Sequence, residues 1–143
     1  MHFVTGGAFN GKSNWVTEYY QLKAVPHLWI SGYKDEGIPE DFPHHQIVIL
    51  EGIEVWLKQL AAQYEIGQAR AKWQQYLTEW RKWENEDPRR KLILIGTDMN
   101  KGIVPMFAEV RKWRDLTGWA YQDTAKTAEQ AELIWYGVSQ RIK

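Results

Sequence analysis

The sequence predicts an α/β fold, a three-layer sandwich on a mainly parallel sheet. Three observations carry that expectation. Short apolar runs alternate with longer stretches of helical period along the chain. Two of these runs, Gln46-Ile47-Val48-Ile49-Leu50 and Lys91-Leu92-Ile93-Leu94-Ile95-Gly96, are almost continuously apolar, as strands covered on both faces are. A glycine-rich segment, Gly6-Gly7-Ala8-Phe9-Asn10-Gly11-Lys12-Ser13, stands between the first run and the first helical stretch.

Taken in order, the first strand is expected over His2 to Thr5, with a helix from Lys12 to about Lys23. Pro26 introduces a second strand, His27 to Ser31. From Gly32 to His45 the chain carries Gly37, Pro39 and Pro43 among many charges, which predicts a loop. The strand Gln46 to Leu50 ends at Glu51-Gly52. A helix then runs from Ile53 to near Tyr64, and Gly67 is the expected break before a second helical stretch that ends near Glu86. Asp87-Pro88 closes that stretch ahead of the strand Lys91 to Gly96. A last long helix lies between Pro105 and Ala131, followed by a final strand, Leu133 to Val138. Neither a repeat nor a low-complexity tract divides the chain, so residues 1–143 are expected to form one nucleotide-binding domain.

Composition narrows the function. Lys+Arg and Asp+Glu number 18 each, so no global field calls for nucleic acid or an acidic membrane as partner. The absence of cysteine excludes disulfides, thiolate catalysis and cysteine-based zinc sites. No segment approaches the ~20 apolar residues of a membrane span. Met1-His2-Phe3-Val4 also lacks the basic-then-apolar shape of a secretion signal, and the expected location is cytoplasmic.

The glycine segment carries the chemistry. Gly6, four intervening residues, Gly11, Lys12 and Ser13 complete the P-loop (Walker A) pattern, between a strand and a helix as the motif requires. The glycines let successive backbone N–H groups converge on phosphate oxygens, and the N-terminus of the following helix adds its positive end. Gly6, Gly7, Ala8, Phe9, Asn10, Gly11, Lys12, Ser13 and Asn14 are the expected nucleotide-binding residues. Lys12 supplies charge to the β- and γ-phosphates, and Ser13 offers its hydroxyl to Mg²⁺. Such a site also needs a carboxylate at the end of a neighbouring strand. Glu51 fills that place as the second expected metal ligand. Asp98, two residues beyond Gly96, is a further carboxylate facing the crevice beyond the strand ends. Lys12, Glu51 and Asp98 are therefore the expected catalytic residues, acting on ATP or GTP with Mg²⁺. The fold class sharpens accordingly to a P-loop NTPase-like sandwich.

With these residues in view, the chain resembles the bifunctional adenosylcobinamide kinase / adenosylcobinamide-phosphate guanylyltransferase family of cobalamin biosynthesis. Val4-Thr5-Gly6-Gly7-Ala8 and Gly11-Lys12-Ser13 stand where members carry their phosphate loop. Glu51-Gly52-Ile53-Glu54-Val55-Trp56-Leu57 is similar to the family's acidic strand end. Gly102-Ile103-Val104-Pro105, Arg114-Asp115, Gly118 and Gln122 match at the family's spacing, Asp98 falls where members carry a Glu, and Trp135-Tyr136-Gly137-Val138 is similar to its last strand. The resemblance implies phosphorylation of a hydroxyl on a corrinoid acceptor, adenosylcobinamide, followed by GMP transfer through a histidine, and assembly as a trimer.

The departures are specific. Members carry the acceptor histidine in a helix after the second strand, within a His, Arg-Pro, Trp and Glu pattern that this chain lacks. His44-His45 precede Gln46-Ile47-Val48 and are expected to be a surface pair. Phe9-Asn10 replaces Arg-Ser, Thr97 and Asn100 replace an Asn and a Gly, and Tyr121 replaces an Asn. Loss of the guanylyltransferase activity is the expectation, and the chain is read as a shortened, diverged member. Two readings stay open: a kinase-like phosphotransferase, or an inactive ATP/GTP-binding relative acting as a regulatory or interaction module.

One stretch is unusual. Trp73, Trp80 and Trp83, with Tyr76 and Leu77, fall on one helical face, opposite Arg70, Lys72, Glu79, Arg81, Lys82 and Glu84. The stripe fits core packing, a subunit contact or stacking on a ligand. Arg89-Arg90-Lys91 reads as a solvated basic cluster.

Overall fold

The structure is a computed structural model and describes residues 1–42, 44–99 and 106–143. Its elements are β1 (His2–Gly6), α1 (Lys12–Tyr19), β2 (Leu28–Ser31), β3 (Ile47–Glu51), α2 (Ile53–Gln63), α3 (Ile66–Asn85), β4 (Lys91–Thr97), α4 (Ala108–Thr127), β5 (Gln130–Trp135) and β6 (Val138–Arg141), with 3-10 turns at Leu22–Ala24 and Gly32–Lys34. Six strands form one sheet in the order β2-β3-β4-β1-β5-β6. All pairs are parallel except β5 with β6.

Alternation within the strands sorts the core into two layers, because successive strand side chains point to opposite faces. Phe3, Val48, Leu50, Leu92, Leu94 and Ala131 meet Trp56, Leu57, Leu60, Trp73, Leu77, Trp80, Leu116 and Ala120 from α2, α3 and α4. Val4, Ile49, Ile93, Ile95 and Ile134 point the other way, to Val16 and Leu22 of α1 and the turn that follows it. Helices thus cover both faces of a mostly parallel sheet, the three-layer architecture expected.

The tryptophan stripe of α3 belongs to this core. Trp73 and Trp80 are buried and meet edge to face at 5.5 Å. Trp73 Nε1 donates to Thr124 Oγ1 of α4 at 2.9 Å, beside a two-pronged Arg70–Asp123 ion pair at 2.8 and 2.9 Å. Two indoles pin the segment between β2 and β3. Trp56 Nε1 donates to the Glu36 carbonyl at 2.7 Å and Trp80 Nε1 to the Pro39 carbonyl at 2.9 Å, while Phe42 is buried against Trp83. Glu84, expected on the solvated side, is instead half-buried and accepts the Leu92 N–H at 2.7 Å, tying α3 to β4.

Several boundaries differ from the expectation, four of them with a clear local cause or consequence. α1 stops at Tyr19, because Gln21 takes φ 52° and turns Leu22 into the core. The break between α2 and α3 is at extended Tyr64 and Glu65, and Gly67 lies in the first turn of α3. β4 continues one residue past Gly96 to Thr97. The last strand begins three residues early, as β5, and then reverses. Tyr136 (φ 49°) and Gly137 (φ 77°) form a two-residue turn with both φ positive, the geometry that matches hairpin twist. Gly102-Ile103-Val104-Pro105 and Asn100 lie outside the described residues, as does the expected helix start at Pro105. Among the described residues no helix is long and apolar enough to cross a membrane.

Candidate nucleotide site

β1, β3 and β4 end on the same side of the sheet, and the glycine segment leaves β1 there. Gly6 ends the strand at φ 152°, where a Cβ would lie 2.4 Å from the Ile134 carbonyl oxygen of β5. Only glycine fits that approach. Gly11, at φ 87°, turns the chain into α1, whose first residue is Lys12. At its tip the segment is tied to the β5–β6 turn: the Asn10 carbonyl accepts the Gly137 N–H at 2.8 Å, and Asn10 Oδ1 accepts the Tyr136 N–H at 3.4 Å.

Lys12 is 8% exposed and donates from Nζ to the Gly7 carbonyl at 2.8 Å, so its ammonium lies inside its own loop. Burial pushes its pKa down, against the opposing pull of Glu54 and then of Glu51. Ser13 Oγ donates to Glu51 Oε2, and Ser31 Oγ, at the end of β2, donates to Glu51 Oε1 at 3.0 Å. The strands leading to the two groups are not the neighbours expected. β3 does not adjoin β1; β4 lies between them, and Glu51 reaches Ser13 across it.

A cavity of about 540 Å³ opens beside these groups, lined by Ala8, Phe9, Gly11, Lys12, Ser13 and Asn14 on the loop side. Glu51, Glu54, Tyr33, Ile95 and Thr97 line the other side. Of the expected site residues, Gly6, Gly7 and Asn10 shape the loop without lining the cavity. Phe9 is fully exposed at φ 59°. Asp98 does not line the cavity either: its N–H donates to the Gly6 carbonyl at 2.9 Å, and its charge is felt at Tyr121. His44 and His45 are not among the lining residues.

The residue missed by sequence reasoning is Glu54, in the first turn of α2. It is 6% exposed; Oε1 accepts the Thr97 N–H at 3.0 Å and Oε2 accepts the Tyr33 hydroxyl. Tyr121 donates its hydroxyl to the Thr97 carbonyl at 2.8 Å, and burial followed by the Glu54 charge holds its pKa well above the usual range. Tyr33 is raised as well, by burial and then by its bond to Glu54. A signal existed: Glu54 is the one acid in the apolar run Ile53–Leu57. An acid in a first helical turn has an ordinary explanation in the helix dipole, however, and that explanation conceals it.

The donors suit Mg²⁺. Ser13 and Glu51 are hard oxygen groups already within bonding reach of each other. Among the described residues no group of three or more His, Asp or Glu could hold a metal alone. Mg²⁺ typically takes one or two protein ligands and completes its octahedron with phosphates and water. Ser13 and Glu51 are the two residues that would hold it.

A parallel sheet flanked by helices, with a glycine loop leading from its first strand into a lysine-initiated helix, defines a P-loop NTPase-like α/β protein. Comparison with protein families matches residues 34–142 to cobinamide kinase / cobinamide phosphate guanyltransferase. The chain belongs to that family, and with it goes a nucleotide-binding function in cobalamin biosynthesis. A comparison with curated proteins returned no match. The matched residues include Glu51, Glu54, Thr97 and Asp98 and begin beyond the glycine loop, so the case for the loop stands on its geometry.

Proposed function

We propose that this chain is a single-domain phosphotransferase that passes the γ-phosphoryl group of ATP or GTP to a hydroxyl, adenosylcobinamide being the acceptor the family points to. The convergence of Lys12, Ser13 and Glu51 at one end of the sheet carries the reading. The loop N–H groups and Lys12 hold the triphosphate, with Nζ exchanging the Gly7 carbonyl for phosphate oxygens. Ser13 and Glu51 present the metal's two protein oxygens, and Ser31 fixes the Glu51 carboxylate from behind. Mg²⁺, when bound, offsets phosphate charge. Phosphoryl transfer asks mainly for such positioning and charge stabilisation.

Guanylyl transfer is absent from the proposal. Between β2 and β3 the described residues hold a 3-10 turn and no helix, and the indoles of Trp56 and Trp80 pin that segment to α2 and α3. No histidine lines the cavity. The same short segment favours a second reading, an inactive ATP/GTP-binding relative that acts as a regulatory or interaction module.

Calorimetric titration with Mg²⁺-ATP and Mg²⁺-GTP, beside Lys12→Ala, followed by transfer assays with adenosylcobinamide, separates these readings. The expected result is saturable binding that the variant loses, together with a phosphorylated acceptor. Binding without transfer to any hydroxyl acceptor selects the module. Absence of binding from folded protein overturns both.

A further inference from the structure

Glu54 is a second acid in the cavity and a buried one, and neither the metal pair nor the lysine cradle requires it. Among the described lining residues the formal charges are Lys12, Glu51 and Glu54, one cation against two anions. Both acids are held by neutral donors: Glu54 by the Thr97 N–H and the Tyr33 hydroxyl, Glu51 by the hydroxyls of Ser13 and Ser31. Hydroxyl and amide donors fix a carboxylate in place without cancelling its charge. Glu54 is 6% exposed, and both of its carboxylate oxygens are engaged in these bonds.

A free nucleoside triphosphate entering this cavity meets an excess of negative charge in a partly dehydrated space, where charges act strongly. The cradle of N–H groups that ordinarily suffices to hold phosphate is opposed by it. A divalent cation removes two of the ligand's charges and places its own beside the acids. We propose that Glu54 makes the site selective for the metal-bound nucleoside triphosphate over the free nucleotide. Glu54 is thus a specificity residue: it leaves binding of the complex nearly unchanged and penalises the bare polyanion. The inference rests on the nucleotide-binding part of the proposed function.

The test is calorimetric titration of the wild type and Glu54→Gln with ATP and GTP, in excess Mg²⁺ and in EDTA. In Mg²⁺ the two proteins should bind alike, within about threefold. In EDTA the wild type should weaken strongly, and Glu54→Gln should bind free nucleotide at least about tenfold tighter than the wild type does. A gain of affinity is not what a merely structural glutamate would give on substitution. Equal losses in the two proteins would overturn the inference while leaving the function standing. Failure of the wild type to bind in Mg²⁺ would remove both.

Should Glu54→Gln not fold, the wild type still decides. In EDTA free ADP should bind tighter than free ATP, and in Mg²⁺ the order should reverse. Tighter binding of free ATP than of free ADP would overturn the inference.

Discussion

The two ends of the sheet bury similar chemistry and use it differently. At the carboxyl ends, Glu51 and Glu54 accept from hydroxyls and an amide and face a cavity with Lys12. At the amino ends, His2 and Glu132 are as buried as Glu54, yet Glu132 accepts from Arg141 at 3.2 Å and Gln130 at 2.7 Å. His2 Nδ1 meets the Tyr20 hydroxyl at 2.5 Å, and its ring is boxed by Trp15, Tyr19 and Tyr20 at 5.7–5.8 Å. The contrast lies in the partners. An acid held by neutral donors keeps its charge for a ligand, whereas one met by a guanidinium has that charge largely cancelled. In the proposed function one end receives a cation and a polyanion; at the other, the cavity of about 310 Å³ beside His2, Tyr20 and Gln130 adjoins an acid already met by a guanidinium.

Substituting one acid at each end should break the symmetry most visibly. Glu51→Ala is expected to lower phosphoryl transfer by about a hundredfold or more, the scale of removing a preorganised electrostatic group, while urea melts stay near wild type. Glu132→Ala should do the reverse. Arg141 is free to turn to solvent but His2 is not, so stability should fall by about 1–3 kcal/mol with transfer unchanged. Loss of activity from both variants, at matched folding, would erase the distinction between the ends.

The amino end should also be the pH-sensitive one. Burial lowers the His2 pKa from 6.5 to about 4, over the opposing pull of Glu132. The unfolded chain therefore takes up the proton first. Stability is complete above the unfolded value, falls as pH drops from about 6.5 to about 4, and levels off below that. The loss is at most about 3 kcal/mol. Urea melts at pH 7.5 and pH 4.5 measure it, and His2→Phe should flatten the difference. An unchanged slope in His2→Phe would place the titrating group elsewhere.

Gly96→Ala probes how tightly the carboxyl end is packed. A Cβ there would lie 2.4 Å from the Tyr121 hydroxyl oxygen and 2.9 Å from Ile53 Cγ1, so Tyr121 must leave the Thr97 carbonyl. Overpacking of this kind costs about 1–3 kcal/mol, read as a lower urea midpoint. Affinity for the Mg²⁺-nucleotide should stay near wild type, because Thr97 holds Glu54 and not the metal pair.

How far the sequence could be read follows the range of the signals. Strands covered on both faces, the glycine loop and the helical stripe of Trp73, Leu77 and Trp80 are local patterns, and each became the element it predicted. The Ser13–Glu51 pairing was legible as chemistry but not as geometry, since strand order is not written locally and β4 separates the two strands. The Tyr136-Gly137 turn carried a recognisable glycine, yet the apolar residues around it read as one continuous strand. Glu54 was the hardest to see. Its partners, Tyr33 and Thr97, come from β2's turn and the end of β4, 21 and 43 residues away in sequence. Only the assembled sheet brings them together.

Tyr33→Phe is the gentlest way to sharpen the comparison. It removes one neutral donor from Glu54 and leaves the ring that packs over Gly52, where a Cβ would meet it at 3.1 Å. One hydrogen bond to a carboxylate in a half-exposed setting is worth about 1 kcal/mol, so the urea midpoint should move slightly. The informative readout is the metal dependence of binding. If neutral donors fix Glu54 without cancelling its charge, the variant keeps the selectivity for metal-bound nucleotide, in contrast to Glu54→Gln, which loses it. If Tyr33→Phe discards the selectivity as fully as Glu54→Gln, then holding the carboxylate in place matters as much as its charge. The carboxyl end would then depend on donor geometry no less than the amino end depends on its guanidinium.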